Sequence, residues 1–237
     1  MDIRGEAALV TGASAGLGRE TARVLARRGA RVVMVARGKE ALDAAVAEIR
    51  AETGNADVHG LAFDVGDKEA IHRLAGATAA LVGSPSIVIH NASTLGPLPM
   101  PLLLDLDCED LERVLAVNLV GPFRLTKALA GPMVLAKRGT FVFVSSDAAT
   151  SAYERWGAYG VSKAAQDHLA RSFAAESPHL RFYAFDPGEM DTKMHADAVP
   201  DADPATLARP ADVAERLVAL VAGDGAGAHP SGARVAA

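Results

Sequence analysis

Short apolar runs rich in Val, Ile and Phe alternate with longer amphipathic stretches along most of the chain. Ala7–Thr11, Arg31–Ala36, Val58–Asp64, Ser86–Asn91, Thr140–Ser145 and Leu180–Asp186 are largely apolar and lack clean in–out alternation. That pattern marks strands covered on both faces. Between them, Gly16–Gly29, Lys39–Thr53, Asp67–Val82, Glu109–Ala136 and Trp156–Ser177 have helical length and apolar residues three and four apart. Arg209–Ala222 adds a helix opened by Pro210 in its first turn. One last short strand is expected near Ala233–Ala236. Alternating strands and helices predict a parallel sheet with right-handed crossovers. The fold class is therefore α/β: a Rossmann-type doubly wound sheet of about seven strands with helices on both faces, a three-layer sandwich. Residues 190–207, rich in Asp, Ala and Pro, interrupt the alternation and read as a short substrate lid. No linker or repeat divides residues 1–237, which read as one domain.

Composition narrows the function classes. Half of the residues are apolar and 22% are charged, which suits a sizeable core. The net charge of −5 gives no electrostatic case for nucleic acid. No apolar run reaches the ~20 residues a bilayer-spanning helix needs, and the first residues lack a signal-type apolar segment. Cys108, the single cysteine, cannot form an internal disulfide, and a cytoplasmic location is the expectation. No cluster of His, Cys and carboxylate has ligand spacing, so no metal is expected.

Directly after the first strand comes Thr11-Gly12-Ala13-Ser14-Ala15-Gly16-Leu17-Gly18, and then a helix. Glycines permit a tight strand-to-helix turn and close approach of backbone to a pyrophosphate, which helix N-terminal N–H groups attract. The spacing departs from G-x-G-x-x-G, and no Gly-Lys-Ser/Thr follows to make a P-loop. A Gly-rich turn can be only a turn, but its place in a βαβ unit favours a dinucleotide. The second strand then selects which one. An NAD site ends this strand with an acid, ~20 residues past the loop, that takes the ribose 2′-hydroxyl. Here the sequence is Ala36-Arg37-Gly38-Lys39, so Arg37 can clamp a 2′-phosphate with Lys39 nearby. NADP(H) is the expected cofactor.

Tyr159 and Lys163 fall one turn apart on one face of a predicted helix. A free phenol, with a pKa of ~10, is a poor acid–base group near neutrality; a neighbouring ammonium lowers it. Ser146 follows a predicted strand, where its hydroxyl could hold a substrate oxygen beside the phenol. Alone, Tyr-x-x-x-Lys is a weak pattern that also describes surface pairs.

Together these elements resemble the short-chain dehydrogenase/reductase family over roughly residues 5–222. The loop Gly12–Gly18 is similar to its coenzyme motif, with Gly12, Ser14, Ala15, Gly16, Leu17 and Gly18 as contacts. Asp64 and Val65 resemble the pair beside the adenine. His90-Asn91-Ala92-Ser93 is similar to an Asn-Asn-Ala-Gly turn, which places Asn91 and Ala92 at the cofactor. Asn118, Ser146, Tyr159 and Lys163 match the catalytic set. Pro187-Gly188, with Met190 and Thr192, matches the segment at the nicotinamide. The resemblance implies hydride transfer between nicotinamide and a carbonyl or alcohol. Tyr159 would be the general acid/base and Ser146 would steady the substrate oxygen. Lys163 would lower the phenol pKa and bind the ribose, and Asn118 would hold a relay water.

Several positions depart from the family pattern. Ser93 replaces a glycine and either narrows the pocket, reaches toward substrate or is neutral. His90 reads as a packed strand-end residue. Asp186 stands where Asn or Ser is usual and reads as a turn cap. The compact lid and short C-terminal segment favour a homodimer through the two long helices over a tetramer. Substrate contacts are expected from Ser93, Tyr153 and Trp156, with Met190 and Met194 as further bulky candidates. The lining reads as apolar, suited to a small ketone, aldehyde or secondary alcohol. Two rival readings stand beside it: a cofactor-binding sensor that keeps the fold without the chemistry, and an enzyme that uses NAD, against which Arg37 speaks.

Overall fold

The apolar runs become strands β1 (Ala7–Thr11), β2 (Arg31–Ala36), β3 (Val58–Ala62), β4 (Ile87–His90), β5 (Thr140–Val144), β6 (Arg181–Asp186) and β7 (Arg234–Ala236). This computed structural model describes residues 2–223 and 229–237. All strands pair in parallel, in the order β3-β2-β1-β4-β5-β6-β7. β1 is an inner strand next to the central β4, pairing Leu9 with Val33 on one side and Val88 on the other. Its residues are buried on both faces, which is why the run is unbroken by polar positions.

Helices α1 (Gly16–Arg27), α2 (Lys39–Thr53) and α8 (Pro210–Ala222) cover one face. Their residues Leu25, Ile49 and Leu217 share a core cluster with Val10, Met34 and Ile89. Helices α3 (Ala70–Val82), α5 (Gly121–Ala136) and α6 (Gly157–Glu176) cover the other. There Leu74, Leu129 and Ala170 pack with Leu9, Phe141 and Phe182. The rings of Phe141 and Phe182 lie parallel, 5.0 Å apart. Sheet and flanking layers match the expected three-layer sandwich.

The largest difference from the sequence reading lies in Glu109–Ala136. It is two helices, α4 (Cys108–Leu115) and α5, joined without a break by a π-helical turn over Ala116–Val120. Pro122 gives the physical reason. It has no N–H to offer the carbonyl four residues earlier, that of Asn118, so regular α-helical bonding cannot pass through this point. Gly121 instead donates to the Ala116 carbonyl. Side-chain turns also trim elements: Asp67 Oδ1 accepts from Glu69 N, which delays α3 until Ala70.

The lid segment contains a short helix, α7 (Lys193–Ala198), capped by Thr192 Oγ1, which accepts from His195 N at 3.2 Å. A parallel bridge between Met190 and Ala208 closes its base, with Ala208 N donating to Glu189 O and Asp191 N to Ala208 O, each at 3.0 Å.

His90 ends β4 as a packed residue, as its sequence position suggests. Its ring is stacked 4.7 Å from Phe143, and its Nε2 lies 2.9 Å from Thr126 Oγ1. Burial pushes the imidazole pKa down from 6.5 to about 3. The unfolded chain therefore binds a proton that the folded one refuses. The stability this neutral ring allows is fully present above about pH 6.5 and is lost as pH falls toward 3. Denaturant titrations between about pH 7 and 5, where most carboxylates stay ionised, should show a steeper loss for wild type than for His90→Asn. Equal slopes would contradict a neutral, proton-refusing His90.

Candidate active site

The loops after β1 and β4 diverge at the centre of the sheet, the place where doubly wound folds open a crevice. Thr11 and Asn91 stitch the two loops together. Thr11 Oγ1 accepts from Asn91 N and Ala92 N, both at 3.0 Å. Asn91 Nδ2 donates to Thr11 O at 3.0 Å and to Gly12 O at 3.1 Å. The approach leaves no room for side chains: a Cβ on Gly12 would lie 2.8 Å from Ala92 Cα, and one on Gly18 would lie 2.4 Å from Gly12 O. Gly12 also has φ 64°, in the left-handed region. Helix α1 then starts at Gly16 with no side-chain cap and no acid in its first turn. Its free N–H groups and dipole are available to an anion.

Two adjoining clefts share Gly12, Ala92 and Ser93. The smaller, about 220 Å³, is bordered by Ser14, Arg37, Asp64 and Val65. Arg37 is exposed at its edge and makes no ion pair among the described residues. Lys39, which the sequence suggested as a second cation here, is instead tied to Asp43 one turn along α2. Asp64 Oδ1 accepts from Gly66 N at 2.8 Å and shapes the loop after β3.

The larger cleft, about 480 Å³, runs from Gly12, Ala15, Gly16 and Leu17 to Tyr159 and Lys163. Helix α6 puts both side chains on one buried face. Lys163 Nζ donates to the Val144 carbonyl at 2.6 Å and to Gln166 Oε1 at 3.4 Å, and sits 5.5 Å over the Tyr159 ring. Burial pushes its pKa down to about 8, opposed by Asp167. Burial pushes the Tyr159 phenol up to about 12, with the Ser146 and Ser93 hydroxyls pulling it down. Desolvation thus outweighs any lowering of the phenol by Lys163 at this geometry. The ammonium is held by Val144, and desolvation of the phenol dominates.

Ser146 Oγ donates to Asp147 Oδ1 at 2.9 Å and accepts from Ala148 N at 3.2 Å. Ser93 Oγ is buried and makes no hydrogen bond of good geometry, yet stands near enough to the phenol to favour its ionised form. Asn118 lies within the π turn with its side chain fully engaged. Its Oδ1 accepts from Thr94 N (2.8 Å), and its Nδ2 donates to Thr94 O and Ser162 Oγ (both 2.9 Å). The Asn118 carbonyl that Pro122 leaves open accepts from Gln166 Nε2 at 2.8 Å.

Pro187, Gly188, Met190 and Thr192 form the facing wall, and Asp186 caps their turn by accepting from Gly188 N at 3.1 Å. Tyr153 and Trp156 close the outer end with Met194 of the lid. Tyr153 OH donates to Asp147 Oδ2 at 2.7 Å, and the Trp156 ring meets Tyr159 edge-on at 5.8 Å. Leu95 and His195 also line the cleft, within the segments 93–100 and 190–207 from which the sequence led us to expect substrate contacts. Sequence reasoning missed Asp147 and Glu189, although Asp147 is adjacent to Ser146 and Glu189 lies between Gly188 and Met190.

The family model described as short chain dehydrogenase matches residues 6–203. The uncharacterized oxidoreductase YciK of Escherichia coli (strain K12) is 34% identical over 220 residues, covering 91% of this chain and 86% of YciK. Other curated relatives are longer, the chain spanning 62% and 55% of two of them. Among solved structures, a short chain dehydrogenase of Shigella flexneri 2a str. 301 complexed with NADP is 30% identical, with a TM-score of 0.91 over 99% of this chain and 98% of that one. One from Escherichia coli CFT073 complexed with NADPH is 32% identical, with a TM-score of 0.91 and the same coverage. With the glycine crossing, the paired clefts and the Ser146–Tyr159–Lys163 grouping at one end of the sheet, the chain belongs to the short-chain dehydrogenase/reductase family.

Proposed function

We propose that the protein is an NADP(H)-dependent oxidoreductase that reduces a ketone or aldehyde, or oxidises the corresponding secondary or primary alcohol, on a small molecule. The observation that carries this reading is the continuity of the two clefts. A dinucleotide laid along them has its adenosine end beside Arg37 and its nicotinamide end beside Tyr159. The residues present fit such a group: uncapped α1 N–H groups and side-chain-free Gly12 for the pyrophosphate, and an unpaired guanidinium for a 2′-phosphate. The NADP and NADPH found in two similar structures support the same choice.

The cofactor supplies the hydride, and the chain supplies orientation and the proton. Tyr159 OH is positioned to give a proton to a substrate oxygen in reduction, or to receive one in oxidation. A phenol pushed up to about 12 is protonated at neutral pH, the state reduction requires, and the developing charge on the substrate oxygen has to draw that proton off. Ser146 and Ser93 present hydroxyls on the same side, so developing negative charge on the substrate oxygen meets more than one donor. The buried Lys163 ammonium places positive charge 5.5 Å over the phenol ring, which favours the phenolate left once the proton has moved to the substrate. Leu95, Trp156, Met190 and Met194 make the remaining wall apolar, which suits a neutral substrate. We place the enzyme in the cytoplasm and read it as a homodimer. The exposed Phe123, Leu135 and Val161 on α5 and α6 supply apolar surface for pairing.

Tyr159→Phe removes only the phenolic oxygen. Turnover of a panel of apolar ketones and secondary alcohols should fall by about 10²–10⁴-fold, while NADPH still binds with nearly wild-type affinity. Turnover that survives the change would remove Tyr159 from its role, and wild-type protein that binds NADPH but turns over nothing would favour a sensor. Arg37→Ala should weaken NADPH by about 10–100-fold, the size of a lost charge-assisted bond, and leave NADH unaffected. Fluorescence titration with both nucleotides decides the point. Wild-type preference for NADH would refute the Arg37 argument.

A further inference from the structure

We propose that Arg234 is a positioning residue for the nicotinamide end of the cleft, locking the main chain of Ser146 and the Asp186–Gly188 turn against helix α6. Strand β7 brings its side chain beneath the cleft floor, where one guanidinium makes three contacts. Nε donates to Asp167 Oδ2 at 3.1 Å. Nη2 donates to Asp186 Oδ2 at 2.8 Å and to the Ser146 carbonyl at 2.7 Å.

Each acceptor belongs to a segment that builds the site. Asp167 lies one turn beyond Lys163 on α6, the helix that also carries Tyr159. Ser146 leaves β5 with its hydroxyl next to the phenol. Asp186 ends β6, and while Oδ2 takes the guanidinium, Oδ1 accepts from Gly188 N and so sets the turn whose Pro187 and Gly188 face Tyr159 across the cleft. A single planar group therefore fixes the distance between the two walls and the orientation of the floor. Lysine would restore the charge but not the three contacts, because an ammonium is a compact point charge without the fork geometry.

Electrostatics make the contact obligatory. The side chains of Asp167 and Asp186 are only 4% and 13% exposed, and Arg234 stands between them. Two nearly buried carboxylates without that cation would repel each other and seek water or another charge. For Asp186 the escape pulls on Gly188. For Asp167 the nearest alternative cation is Lys163, whose placement beside Tyr159 would suffer. The aspartate at position 186, unexpected from the family pattern, has its explanation in this partner.

The inference rests on the cofactor reading above, and the test separates the two. Dissociation constants for NADPH and for 2′,5′-ADP, which occupies only the adenosine end, would be measured on wild type, Arg234→Met, Arg234→Lys and Asp186→Asn. Arg234→Met should weaken NADPH by about tenfold or more and blunt its fluorescence enhancement. Its 2′,5′-ADP affinity should stay within about twofold, because the distant end is independent. Arg234→Lys should recover part of the loss. Asp186→Asn, which keeps an acceptor for Gly188 N but drops the ion pair, should fall between. If Arg234→Met does not fold, the lysine and asparagine variants carry the same comparison. Unchanged NADPH binding, or equal weakening of both ligands, would overturn the proposal in favour of no role or a general structural one. Wild-type protein that binds neither ligand would sink the cofactor reading, and this inference with it.

Discussion

Everything at the open end of the sheet depends on how closely the backbone after β1 approaches the backbone after β4. Gly12 and Ala92 come within a distance that no Cβ can occupy, and Asn91 holds them there through two carbonyls. This crossing places the uncapped start of α1 beneath one cleft and the turn bearing Ser93 at the mouth of both. The parallel sheet supplies rigidity, since its central strands are buried on both faces and cannot slide without exposing a whole row of Val and Ile. On the proposed function, cofactor recognition is thus mainly a property of backbone geometry, with few side chains involved.

The catalytic end works by a different principle, the partial starvation of polar groups. Tyr159, Lys163, Gln166 and Asp167 are all buried, and the phenol, ammonium, amide and carboxylate each meet protein groups there. Low dielectric pushes phenol and ammonium alike toward their neutral forms, so the phenol holds its proton more firmly and the ammonium releases its own more readily than in water. The π turn contributes through what it lacks. Pro122 withholds an N–H, the Asn118 carbonyl turns outward, and Gln166 connects it to the ammonium. A defect in helix bonding becomes a polar contact in the site.

Much of this was legible in the sequence, for identifiable reasons. Unbroken apolar runs could only be strands buried on both faces, and the glycines at 12, 16 and 18 sit where a first strand meets a first helix. The four-residue step from Tyr159 to Lys163 fixed a shared face. Other features were illegible because they depend on the third dimension. The phenol shift follows from burial, which no local pattern records. Lys39 looked like a cofactor cation until its neighbour Asp43 claimed it. Arg234 stands 67 residues from Asp167, in a short strand with no motif around it. Proline carried a mixed signal: Pro122 marks the π-helical turn by withholding an N–H, whereas Pro132 in the same predicted stretch leaves α5 unbroken to Ala136.

The closed base of the lid separates two design problems. The bridge between Met190 and Ala208 seals the segment into a loop whose ends stay fixed while its interior is free to vary. Doubling such a loop costs only about 0.6 kcal/mol in closure entropy. Exposed residues between the two anchors can therefore be lengthened, shortened or recomposed cheaply, while Thr192 beside Gly16 and Ala198 against the Tyr159 cluster stay tied to the site. On the proposed function, the molecule joins a fixed chemical engine to a partly exchangeable mould, and new specificities can arise by recasting the exposed part of the mould alone.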